Sequence, residues 1–147
     1  MLKTYKRKHP ISDRKLIFLD TLLKFDEYSS IMRKVYYLST CDTCKRIMNS
    51  LNLEGFTQQD IKTEAITADQ LTEMHALSAS YESLFSKVAR KYRALGLNER
   101  DLSEDDFRKY ILEEYTFLKR PVFLVDGQIF IGNSKKTVAA LSELLNA

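Results

Sequence analysis

Tyr36-Tyr37-Leu38-Ser39-Thr40-Cys41-Asp42-Thr43-Cys44-Lys45-Arg46 is the stretch that decides the fold. Val35-Tyr36-Tyr37-Leu38 is a short β-favouring run, and Ser39-Thr40-Cys41-Asp42 breaks it with residues that cap helices. The spacing then predicts a helix over residues 43–51, closed by Asn52 to Gly55, and a return strand over 56–61. This is a βαβ unit with two cysteines at the junction of its first strand and its helix. Free N–H groups and aligned peptide dipoles at a helix start favour a thiolate, so Cys41 reads as a nucleophile. Cys44, one turn onward, is placed to attack an adduct on Cys41 and leave an internal disulfide. Two other readings compete: small apolar core residues, and half of a zinc site. The second needs two more ligands, and the histidines, His9 and His75, are far apart with no second cysteine pair, so no metal is expected.

Downstream of this unit, Thr67-Ala68-Asp69-Gln70 has the reciprocal pattern of a capping box, with Leu71, Met74 and Leu77 following at helical spacing. A second helix is predicted over 81–95, stopped by Gly96, and a third from Ser103, where Glu104, Asp105 and Asp106 complement the positive helix end. After Pro121 the period changes to two: Val122 to Val125, the turn Asp126-Gly127, and Gln128 to Ile131 read as a hairpin. A last helix over 134–145 presents Val138, Leu141, Leu144 and Leu145 to one side. The order β-α-β, helices, β-β-α is that of a thioredoxin-like α/β fold. Its four-stranded mixed sheet is flanked by helices, with a helical insertion at about 67–117 between the βαβ and ββα halves.

The 147 residues suit one domain, because a single core commonly serves about 100–200 residues. Two cysteines cannot staple a secreted scaffold. Charge is uneven: residues 1–34 hold nine Lys/Arg against four Asp/Glu, whereas 35–147 hold fourteen against sixteen. The body therefore lacks a clustered basic footprint for direct nucleic-acid binding. Lys6-Arg7-Lys8 reads as a solvated basic tail. The apolar run at 16–25 is about ten residues long and broken by Asp20 and Lys24; a spanning helix needs about 20, so no membrane or export segment is expected. Its spacing suits a short amphipathic helix within a basic, partly helical extension at 1–33, ahead of the domain at 34–147.

The chain resembles the arsenate reductase (ArsC) and Spx group of thioredoxin-fold proteins. The likeness rests on the redox loop from Tyr36 to Arg46, Tyr92-Arg93-Ala94-Leu95-Gly96-Leu97, Leu118-Lys119-Arg120-Pro121, and Val125-Asp126-Gly127 with Ile131-Gly132-Asn133. It covers residues 34–147 and makes Met32 a natural start. The resemblance implies a cytoplasmic, arsenate reductase-like thiol oxidoreductase without a bound cofactor. Cys41 would attack an oxyanion or thiol substrate, and an external thiol (glutathione, glutaredoxin or thioredoxin) would complete the cycle. Arg120 would hold the oxyanion with its planar fork of donors, and Pro121 would be the cis proline that brings this strand end to the cysteine loop. Catalytic candidates are thus Cys41, Cys44 and Arg120, and binding candidates Thr43, Pro121, Lys87 and Arg90.

The chain also departs from the family. Aligned on Tyr92 to Leu97, a second family arginine falls on Ser86 and a third near Gly132 or Asn133. Lys87 and Arg90 are the nearby cations, otherwise ordinary solvated helix residues. Cys44 stands where many glutaredoxin-linked arsenate reductases lack a second cysteine and where Spx-type regulators have one. The alternative function is accordingly a redox-sensing transcriptional regulator that binds RNA polymerase.

Overall fold

The computed structural model describes residues 32–147. The expected extension and its amphipathic segment at 16–25 lie outside the described residues, apart from the last positions of the 1–33 range. Four strands, β1 (Arg33–Tyr37), β2 (Thr57–Asp60), β3 (Val122–Val125) and β4 (Gln128–Ile131), form one mixed sheet in the order β2-β1-β3-β4. β1 pairs parallel to β2 and antiparallel to β3, with Val35 opposite Gln58 and Phe123. This is the thioredoxin-like arrangement expected from the order of elements.

The period of two on the central strands divides the core between the sheet faces. Val35, Phe123 and Val125 point to one side, where they meet Ile47 of α1 (Asp42–Asn49) and Leu141 of α6 (Lys135–Asn146). Tyr36, Val122 and Leu124 point to the other, against α2 (Ala68–Leu77), α5 (Glu104–Glu113) and the chain between them. Burying each such side chain contributes about 1.5–3 kcal/mol. Strand β3 is buried along its whole length, which is why its sequence lacks polar alternation.

Local chemistry sets the element boundaries. Thr67 and Ser103 each close a capping box, with Gln70 and Asp106. In the hairpin turn, Asp126 (φ 50°) and Gly127 (φ 78°) are both left-handed, as a two-residue turn matched to strand twist requires. Arg33 donates two hydrogen bonds to the Asp126 carboxylate, at 3.2 and 3.0 Å.

The helix expected over 81–95 is not continuous. α3 (Tyr81–Leu84) ends after four residues, Phe85 is extended, and α4 (Arg90–Ala94) starts afresh. The cause is nonlocal. Ser86 N–H donates to Phe117 O at 2.7 Å and Lys119 N–H to Leu84 O at 2.8 Å, so this stretch pairs with the segment leading into Pro121. The Phe85 ring is buried against Phe107, Phe117 and Tyr92. Burial of one large ring and two long-range hydrogen bonds override a helical pattern.

Candidate active site

Cys41 is the N-cap residue of α1, in extended conformation (φ −98°, ψ 110°), and no side-chain oxygen caps the helix. The first-turn N–H groups are thereby left for its sulfur. Cys41 N–H donates to Leu38 O at 3.0 Å, and Lys45 N–H to Cys41 O at 3.1 Å, which ties the residue to both strand and helix. The Asp60 carboxylate accepts from Ser39 N–H at 3.3 Å and steadies the loop between them.

The two thiols differ sharply. For half-buried Cys41, burial opposes ionisation and is the largest single influence. The Cys44 N–H and thiol, the Thr43 N–H and the Arg120 charge together outweigh it and hold Cys41 below its ordinary value. Cys44 is fully buried; burial first, then the neighbouring Cys41, push its thiol up to about 11, against a backbone contact from Leu38 and the charge of Arg120. Thr43 thus contributes through its backbone N–H.

Arg120 precedes the cis Arg120–Pro121 peptide. Its guanidinium donates to Thr116 O at 3.2 Å and Leu118 O at 3.5 Å, neutral acceptors that orient the cation without themselves cancelling its charge. Gly132 N–H donates to Pro121 O at 2.9 Å, and its left-handed φ of 82° turns the chain so that Asn133 reaches the same place.

An open cleft of about 650 Å³ joins these groups: Cys41, Ser83, Ser86, Lys119, Arg120 and Asn133 all line it. Ser86 and Asn133 are the positions at which the family resemblance sets arginines, so here the cleft walls are neutral at both. Lys87 also lines the cleft, but its ammonium pairs with Glu82 at 2.6 Å. Arg90 is not among the lining residues. Lys119, whose ammonium donates to Ser83 O at 3.0 Å, is a wall residue that sequence reasoning passed over. Its only signal was adjacency to Arg120. Ser83 was hidden within the expected helix. Asp60 had no signal, because its role depends on β2 lying beside β1.

Among the described residues no helix is long and apolar enough to cross a membrane, and no three His, Cys, Asp or Glu side chains gather as a metal site.

Comparison with known proteins agrees with this fold. Residues 36–141 match the ArsC family. The chain is 26% identical over 101 residues to the global transcriptional regulator Spx 2 of Bacillus anthracis, covering 67% of this chain and 77% of that protein. Among solved structures it is similar to a YFFB protein (22% identity, TM-score 0.64, 76% of this chain and 99% of that one). It is also similar to the arsenate reductase of Vibrio cholerae (18% identity, TM-score 0.61, 75% and 97%). A third likeness is to an arsenate reductase related protein from Brucella melitensis (25% identity, TM-score 0.58, 76% and 94%).

Proposed function

The chain belongs to the ArsC family, and from that premise we propose that it is a thiol-dependent oxidoreductase working by two-cysteine exchange. The placement of the two thiols is the observation that carries this reading: Cys41 at the N-cap of α1 lines the cleft beside Arg120, and Cys44 lies buried one turn behind it. The Cys41 thiolate bonds to the electrophilic atom of the substrate, displacing a thiolate from a disulfide sulfur or, with protonation, water from the centre of a small oxyanion, and a covalent adduct remains. Cys44 then gives up its proton and attacks Cys41 Sγ, which expels the reduced group and leaves a Cys41–Cys44 disulfide. An external thiol, glutathione, glutaredoxin or thioredoxin, restores the pair, and no bound cofactor is needed. The cytoplasm, which keeps such thiols reduced, is the fitting compartment.

Arg120 supports the charge that develops at the reacting centre. With serine and asparagine at the two other positions expected to clamp an anion, the cleft is better suited to thiol–disulfide exchange than to gripping arsenate. The working unit in this reading is residues 34–147, with 1–33 as an appendage.

A second reading is favoured by the likeness to Spx 2 together with the presence of both cysteines. In it the chain is a regulator whose disulfide alters its grip on RNA polymerase.

The test is alkylation by iodoacetamide across pH, resolved by peptide mass, followed by mild oxidation. Cys41 is expected to react first, with a midpoint below the ordinary thiol value, and oxidation to link it to Cys44 within one chain. Equal, slow alkylation of both cysteines would remove the redox reading. Arsenate turnover and polymerase pull-down, each in reduced and oxidised protein, separate enzyme from regulator.

A further inference from the structure

α5 and α6 begin in opposite ways. α5 opens with Glu104, Asp105 and Asp106, carboxylates at the positive end of the helix. α6 opens with Lys135 and Lys136 and has no acidic residue in its first turn. The helix dipole disfavours cations there, so these lysines do not serve the helix that bears them. Local rules are broken most often where a surface has work to do.

Lys135 stands on the lip of a groove of about 480 Å³ between α1 and α6. Ile47 and Leu51 from the α1 side and Val138 from α6 supply apolar surface, and Arg46 is the second cation on its edge. Both cations are exposed, and among the described residues neither has an acidic partner within ion-pair distance. The groove adjoins the cysteine cleft, with Asn133 on the wall of both. A small oxyanion at Cys41 would leave all of this unused.

An occupant has to bring apolar groups for the floor, negative charge for Arg46 and Lys135, and a reactive sulfur for Cys41. Residues 1–31 of this chain carry seven Lys/Arg against four Asp/Glu and would bring the wrong charge. A nucleic acid has the charge, but the groove lining contains no aromatic ring for bases to stack on, and it offers Cys41 no sulfur. We infer that the α1/α6 groove docks a partner polypeptide, an acidic segment with one or two apolar side chains, and delivers that segment's disulfide to Cys41. This rests on the two-cysteine exchange proposed above and specifies its substrate class.

The step balances. Cys41 thiolate bonds to one sulfur of the partner's disulfide, and the other sulfur leaves as a thiolate that takes a proton from solvent. Cys44 loses its proton, bonds to Cys41 Sγ and releases the first sulfur. The partner gains two electrons and two protons, and the enzyme holds the disulfide until an external thiol reduces it.

The probes are a short peptide of Asp, Glu and Leu whose single cysteine carries thiopyridine in a mixed disulfide, a twin with Lys in place of the acids, and dithiodipyridine alone. Release of thiopyridone reports attack in a single turnover. At low salt the acidic peptide is expected to react on the order of tenfold faster than its twin, the difference shrinking as salt rises. In the R46E/K135E protein the preference should reverse. Equal rates for the twins, or an unchanged preference in that variant, would overturn the inference. If dithiodipyridine itself reacts no faster than with free cysteine, the exchange reading fails instead. Fluorescence anisotropy of the labelled acidic peptide with C41S/C44S protein then judges the groove alone. Saturable binding abolished by R46E/K135E supports docking; no binding, or displacement of the peptide by an RNA oligonucleotide at lower concentration, overturns it.

Discussion

Cys41 and Cys44 are the same residue one helical turn apart, yet the first is held below its ordinary ionisation range while the second is pushed up to about 11. Both feel burial and both feel Arg120. What separates them is depth and direction. Cys41 sits on the open end of α1, where N–H groups converge on its sulfur; Cys44 sits inside the turn, fully buried, with a thiol that donates to Cys41. One thiol held toward its thiolate and one held toward its protonated form thus arise from one short loop. The physics lies in where the helix starts, not in which residues are used.

Replacing Cys41 is the severest way to break the contrast. Cys44 is fully buried, and burial, the largest influence on its thiol, favours the protonated form with or without Cys41 beside it, so Cys44 cannot take over. Cys41→Ser is expected to lower the single-turnover rate with a small disulfide by on the order of a thousandfold. Stopped-flow absorbance would show it. A rate within a few-fold of the parent would mean the assignment of roles is reversed.

Arg120 comes next, since it acts on both thiols but lies on the cleft side. Arg120→Ala should raise the Cys41 ionisation midpoint. It should also cost on the order of a hundredfold with an oxyanion substrate, where negative charge develops at the reacting centre, and far less with a neutral disulfide. Arg120→Lys should recover part of the midpoint shift, separating charge from the hydrogen bonds to Thr116 and Leu118. Equal losses on both substrates would place Arg120 as a structural prop for the segment before Pro121.

Stability against pH sharpens the comparison further, at lower magnitude. Cys44 has a folded-state value raised above its unfolded value of about 9, so its contribution is whole below pH 9 and is lost as pH rises through about 11. Two units correspond to on the order of 2–3 kcal/mol. Cys41 has the opposite sign: its folded value is depressed, so its contribution is present above the unfolded value and lost as pH falls through the folded one. Urea midpoints of the parent and Cys44→Ala from pH 8 to 11 should converge as pH rises. Parallel curves would show that Cys44 is not buried as a neutral thiol.

The junction that makes this contrast was legible in sequence because every determinant is local: a β run, cap residues, a helical run, two cysteines. The capping boxes at Thr67 and Ser103 and the Asp126-Gly127 turn were legible for the same reason. The break at Phe85 was not. Its backbone is satisfied by Phe117 and Lys119, more than thirty positions away, and no window of periodicity contains that information. The same break explains Lys87. It pairs with Glu82 five residues earlier, a spacing an intact helix does not bring together, so a residue expected to offer free charge has it cancelled. Asp60 and Lys119 act through neighbours supplied by the sheet and by the Leu84–Lys119 pairing, and a linear reading sees neither.

Removing residues 1–31 should have the smallest effect, and it bears on the same contrast through charge. That segment carries three net positive charges. If it lay over the Cys41 cleft it would stabilise the thiolate, and a chain beginning at Met32 would show a higher Cys41 midpoint, most clearly at low salt where the Debye length approaches about 30 Å. If the domain is 34–147, the midpoint should stay within about 0.2 units at both low and high salt. The thermal transition should also remain cooperative, since β1 to β4 form one sheet with a packed core on each face. A salt-dependent rise in the midpoint would make the basic extension part of what tunes Cys41. A collapsed transition would place the apolar run at 16–25 against the body of the protein.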